Sequence, residues 1–232
     1  MKRTSRLVKA SWAILLLSST GLFISYQAVS EPQPPLAAPS SGAERASPTV
    51  SITPSAAIVP KTNLALGRSA EGQIGKTLYY DPAYVSLSYP NGDVPEDRGV
   101  CSDVVIRALR QQGADLQQLV HKDMKANFSS YPKRWGLKKP DPNIDHRRVP
   151  NLETYFNRHK MSRPISQNSA DYLPGDIVSW RLDNGLPHIG IVTDRYTSDG
   201  RPLVVHNIGS GARAEDILFS WTIEGHYRYF AK

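Results

Sequence analysis

Three stretches decide the fold: Pro174-Gly-Asp-Ile-Val-Ser-Trp180, Pro187-His-Ile-Gly-Ile-Val-Thr193 and Pro202-Leu-Val-Val-His206. Each is short, rich in β-branched and aromatic residues, and bounded by turn formers. Between the first two lies Asn184-Gly185, a strong hairpin signal because both residues tolerate the positive φ of a tight turn. Ser198-Asp199-Gly200 is a second turn signal, and Thr222 to Phe230 is a fourth extended segment. The spacing predicts strands over 176–180, 188–193, 202–206 and 222–230, joined as an antiparallel meander.

Upstream the period changes from strand to helix. Gly99-Val-Cys-Ser-Asp103 leads into a helix with Val104, Val105, Ala108 and Leu109 on or near one face, and Gly113 stops it. Asp115 caps a second helix carrying Leu116, Leu119, Val120 and Met124 at i, i+3, i+4 and i+8. A Pro- and Lys-rich loop, Tyr131 to Asn143, separates it from a third helix. Pro150 opens that helix, with Leu152, Tyr155 and Phe156 on one face. Helices followed by an antiparallel sheet predict an α+β domain.

The N-terminal third has a different character. Lys2, Arg3, Arg6 and Lys9 precede an apolar run from Ala10 to Ile24, and Ala28-Val29-Ser30 offers small residues for cleavage. This reads as a signal peptide over 1–30, with an uncleaved membrane anchor as the second choice. The run is shorter than the ~20 residues of a comfortable span and contains Ser18, Ser19 and Thr20. Residues 31–66 are rich in Pro, Ala and Ser, too poor in apolar periodicity to offset ordering entropy, and read as a disordered linker. The folded domain is expected over 67–232.

Of the net charge of +7, four units sit in the first nine residues; 67–232 carries 22 basic and 19 acidic side chains. So mild an excess argues against nucleic acid as a partner. The basic loop Lys133, Arg134, Trp135, Lys138 and Lys139 reads as a solvated loop rather than a polymer-binding site. One cysteine excludes an internal disulfide framework and every CxxC-type zinc or redox site.

That cysteine, Cys101, is the first candidate for chemistry. At the start of a helix, free N–H groups and the helix dipole favour a thiolate. His188 heads its strand, where it is placed to take the thiol proton. The next strand ends in Val205-His206-Asn207. His206, by strand order, or Asn207 as the alternative, is then placed to orient the His188 ring as the third member of a triad. Zinc held by Cys101, His188 and His206 is the weaker reading, since no HExxH or local ligand pair accompanies them. Thiol redox chemistry lacks a resolving cysteine. No metal or cofactor is expected.

A helix-start Cys, Pro174-Gly-Asp176, a strand-start His and a polar residue on the next strand resemble the NlpC-like group of papain-fold cysteine hydrolases. A closer resemblance is to a bacterial family called domain of unknown function 1287. It rests on Tyr80-Asp-Pro-Ala-Tyr84, Gly99-Val-Cys-Ser-Asp-Val-Val-Ile-Arg107, Asp141-Pro-Asn-Ile-Asp-His-Arg-Arg-Val-Pro150, Pro174-Gly-Asp-Ile-Val178, Pro187-His-Ile-Gly190, His206-Asn-Ile-Gly209 and Gly225-His-Tyr-Arg-Tyr229. The resemblance implies a papain-like α+β domain, helices packed on an antiparallel β-meander. It also implies amide hydrolysis in cell-wall (peptidoglycan) peptides by an exported protein of the periplasm or cell envelope. Only an uncleaved N-terminal segment would touch the membrane. The sequence departs from the wider group around the thiol, where Asp-Cys-Ser-Gly is typical and Val100-Cys101-Ser102-Asp103 stands here.

Further contacts are expected near Cys101. Its backbone N–H is the first candidate for an oxyanion donor. By analogy with the wider group, Tyr80 or Tyr84 is a second. Asp103, His146, Arg147 and Arg148 are candidate substrate contacts, the arginines because guanidinium groups bind carboxylates in pairs of hydrogen bonds. A salt bridge to Asp141 or Asp145 is the competing role for either arginine. The other function class kept open is a wall- or protein-binding module without activity.

Overall fold

A computed structural model describes residues 61–230. The expected signal peptide and most of the expected linker lie outside the described residues. Among the described residues, no helix is long and apolar enough to cross a membrane.

The first helix, α1 (Lys61–Glu71), opens ahead of residue 67. Asn63 and Leu66 are fully buried, so the chain is already anchored where a linker was expected. A two-residue parallel pair follows, β1 (Tyr79–Tyr80) with β2 (Arg98–Gly99), too short to leave a sequence pattern. Next come α2 (Cys101–Gln111), α3 (Leu116–Asn127) and α4 (Val149–Arg158), close to the three helices expected. Asp115 caps α3 by accepting from Gln117 N at 3.2 Å.

The strands are β3 (Ile177–Arg181), β4 (Pro187–Tyr196), β5 (Pro202–His206), β6 (Arg213–Glu215) and β7 (Thr222–Tyr227). They form one antiparallel sheet in the order β6-β5-β4-β3-β7. The meander expectation needs correcting at its end: β3 to β6 run as a meander, but β7 crosses back to pair with β3. That edge was open, and β7 covers it with Ile223, Gly225, His226 and Tyr227 in register.

Alternation along the strands builds two cores. Ile177, Ile189, Ile191 and Val205 join Leu66, Val104, Val105 and Leu109 beneath the helices. Val178, Trp180, Val192 and Val204 face the other way, under Tyr172 and Leu218. All residues from Cys101 to Leu109 of α2 are buried, so this helix is the spine of the domain.

The Pro-Gly-Asp motif turns out to be a structural knot. Asp176 is fully buried and accepts from Arg228 Nε and Nη2, both at 2.7 Å, from Asn63 Nδ2 at 3.1 Å and from Leu173 N at 2.8 Å. His226 Nε2 lies 2.8 Å from the same carboxylate. One side chain thus ties α1, β3 and β7 together. Gly175 before it has φ +88, and a Cβ there would run into the Asn63 carbonyl. We expect Gly175→Ala to destabilise the fold by at least about 2 kcal/mol, read as a lowered urea midpoint. A midpoint unchanged from the parent protein would show that α1 is free to move away.

Candidate active site

Cys101 is the first residue of α2, with Val100 at the N-cap. Asp103 sets this start by accepting from Val100 N at 2.7 Å. The N–H of Cys101 itself lies in the first turn, where the helix supplies no acceptor. The thiol is buried and shares its core with Ile189, whose backbone N–H faces the sulfur.

Cys101 borders a cavity of about 250 Å³ that is also lined by Tyr80, Trp135, Arg147, Arg148, Leu186 and Pro187, among others. The half-exposed Tyr80 ring forms part of its rim. Burial, and next the ionisable Cys101, raise the pKa of the Tyr80 phenol.

His188 stands second in β4, directly after the cavity residue Pro187. Its Nε2 lies 2.9 Å from His206 Nδ1. The His188 ring is flanked by Trp180 and Trp221 at 5.9 and 5.8 Å between centroids. His206 Nε2 in turn lies 2.8 Å from Glu215 Oε2 on β6. Among the described residues, the side-chain hydrogen bond of His188 goes to His206 and not to Cys101.

Burial decides the charge states. The Cys101 thiol is pushed up to about 12, chiefly by desolvation, against partial relief from the Ile189 amide. His188 is pushed down to about 3 by burial and then by His206. Burial therefore works against the thiolate expected at the helix start, and Asp103 adds to the rise. For both Cys101 and His188 it favours the neutral form. A small electrophile should alkylate the protein slowly at pH ~8, because burial leaves little of the thiol ionised. The rate should climb about tenfold per pH unit to beyond pH ~10, unaltered by His188→Ala. A plateau below pH ~7 would contradict these charge states.

The other expected site residues divide. Arg148 lines the cavity, its guanidinium carbon 4.2 Å over the Trp135 ring, with Nη1 held by Asp145 at 2.9 Å. Arg147 also borders this cavity, but its guanidinium is taken up by Asp103. Arg147 Nε and Nη2 meet the two Asp103 oxygens at 2.9 Å each, and both side chains are almost wholly buried. Arg147 also donates to the carbonyls of Asp81 and Ala83 and so clamps the Tyr80 segment over α2. The partners weighed for Arg147, Asp141 and Asp145, are not the ones it takes.

His146 is buried away from the cavity, and burial pushes it down to about 4. Tyr84 borders a neighbouring cavity of about 920 Å³, its hydroxyl 3.0 Å from both Asp141 Oδ2 and Asn143 Nδ2. Asn207 is occupied elsewhere: its Nδ2 donates to the carbonyls of Tyr79 and Gly99. His206, not Asn207, is thus the partner of His188. Among the described residues, no group of three or more His, Cys, Asp or Glu side chains is placed to hold a metal.

The family described as a domain of unknown function, DUF1287, matches residues 67–229, which contain every one of these residues. The chain belongs to that family. A relative, the uncharacterized protein YijF of Escherichia coli (strain K12), is 66% identical over 175 residues, 75% of this chain and 85% of the relative. Among solved structures, NlpC1 from Trichomonas vaginalis aligns with 72% of this chain at 16% identity and a TM-score of 0.38. This chain covers 45% of that one, less than half its length.

Glu215, which sequence reasoning missed, joins the histidine pair. It lies in a three-residue strand of polar sequence, Arg213-Ala-Glu215, which carries no periodic signal. Only pairing with β5 brings it to His206.

Proposed function

We propose that this protein is a cysteine hydrolase that cleaves an amide bond, most naturally in cell-wall peptides, through an acyl-enzyme. The observation that carries the reading is the meeting of three things at one cleft. These are a helix-start thiol bordering a cavity, a histidine next to that cavity, and a second histidine bonded to the first. In this mechanism Cys101 passes its proton to His188 as sulfur attacks the carbonyl carbon. The Cys101 N–H steadies the oxyanion. His188 returns the proton to the leaving amine, and water resolves the thioester with His188 again as base. Proton transfer accompanies attack rather than preceding it, in keeping with a neutral resting pair. The Cys101–His188 bond closes only with substrate bound, as catalytic hydrogen bonds often do.

Arg148 is the group we assign to a substrate carboxylate, because Nε and Nη2 remain beyond its bond to Asp145. The same proposal places the chain on a papain-like fold, exported to the periplasm or envelope by its N-terminal segment. It needs no cofactor and no nucleic acid. The test is incubation of the purified protein with wall peptides containing γ-D-glutamyl amide bonds, products being read by mass spectrometry. Cleavage that persists undiminished in Cys101→Ala would sink the mechanism.

The buried, neutral pair also favours a second reading, a binding module on the same fold. That reading predicts peptide binding retained by the Cys101→Ala, His188→Ala double variant, with no product from the parent protein.

A further inference from the structure

The two histidines and Glu215 form a chain whose hydrogen-bond directions are fixed from its outer end. A carboxylate only accepts, so His206 Nε2 must carry the proton in the 2.8 Å contact with Glu215. A neutral His206 then has Nδ1 as its bare nitrogen. That nitrogen must accept across the 2.9 Å contact, so His188 Nε2 carries the proton. The lone pair of His188 is left on Nδ1, which has no hydrogen-bond partner among the described residues.

We infer that Glu215 is a positioning residue. Acting through His206, it holds His188 in the Nε2–H tautomer, so that Nδ1 is the atom that takes the Cys101 proton. This rests on the hydrolase reading for its catalytic consequence; the tautomer assignment rests on the two ring contacts and on burial, which favours a neutral His206.

Two further features support the relay. A Cβ at Gly190 would stand 2.7 Å from Val204 Cγ1, 2.8 Å from the Val205 carbonyl oxygen and 3.2 Å from His206 Cβ. The bare glycine therefore lets β5 approach β4 closely enough for the rings to meet. The outer end of the relay has its own opening, a cavity of about 200 Å³ bordered by His206, Ser210, Arg213 and Glu215. Glu215 is 42% exposed there while His206 is 1% exposed, so water reaches the carboxylate and largely spares the rings.

The test is long-range proton–nitrogen NMR of the histidine rings in the full chain without ligand. His188 and His206 should both be Nε2–H. Glu215→Gln should keep that pattern, since its amide oxygen accepts the same bond. Glu215→Ala should turn His188 into a mixture of tautomers. An Nδ1–H His188 in the parent protein, or a pattern untouched by Glu215→Ala, would overturn the inference. With a cleavable peptide, Glu215→Ala should lower kcat about tenfold at little change in KM, and Glu215→Gln should restore most of it. The expected ring pattern together with no product from any wall peptide would uphold the tautomer assignment and overturn the hydrolase.

Discussion

Replacing Arg147 by alanine should cost the fold about 3–5 kcal/mol, the range for breaking a buried ion pair by removing one partner. The Asp103 carboxylate would remain buried with two of its hydrogen bonds gone. The carbonyls of Asp81 and Ala83 would lose their donor as well. For a folded body of this size the melting temperature should fall by about 10 °C. The double variant Asp103→Leu, Arg147→Met should recover part of that loss, because no charge is then stranded. Recovery cannot be complete, since Asp103 also holds Val100 N at the helix start. Thermal melts of the three proteins decide the matter. A single variant within about 2 °C of its parent would mean that the pair is solvated in solution and that Arg147 is free for a ligand after all.

Cys101→Ala should lower kcat for wall-peptide cleavage by about 10⁴-fold or more, as loss of a nucleophile does elsewhere. It should hardly move the melting temperature. The thiol is buried but gives the core only a small apolar volume. Binding of the peptide should persist, because Arg148, Trp135 and Tyr80 still line the cavity. Loss of turnover with retained binding and retained stability is the pattern of a nucleophile. Residual turnover above about a tenth of the parent value would assign the chemistry to another group.

These two variants also show where sequence reasoning reached and where it stopped. Arg147 and Arg148 are adjacent, identical in type, and equally suited to a carboxylate by sequence. Arg147 borders the cavity but turns its guanidinium inward to Asp103, while Arg148 lies over Trp135. Residue type does not distinguish them; the short 3₁₀ turn Asp145–Arg147 does, by directing successive side chains apart. The same limit applies to His206 and Asn207. Strand order favoured His206, and the pairing Val205↔Ala214 and His206↔Arg213 with the β4 register delivers it to His188. Asn207, one residue on, falls outside the strand and fastens β1 and β2 instead.

By itself the sequence determined the α+β class, the helix that begins at Cys101, and most of the strand positions. These depend on local periodicity, capping and turn residues, whose physics acts within a few positions along the chain. Tertiary structure alone decided that β7 returns to the β3 edge, that Asp176 ties three elements together, and that Glu215 completes the histidine relay. It also buries the thiol, which favours its neutral form. Partners more than a hundred residues apart, as Asn63 and Asp176 are, meet only through packing. Desolvation of Cys101 likewise depends on what the rest of the chain lays over it, not on the residues beside it.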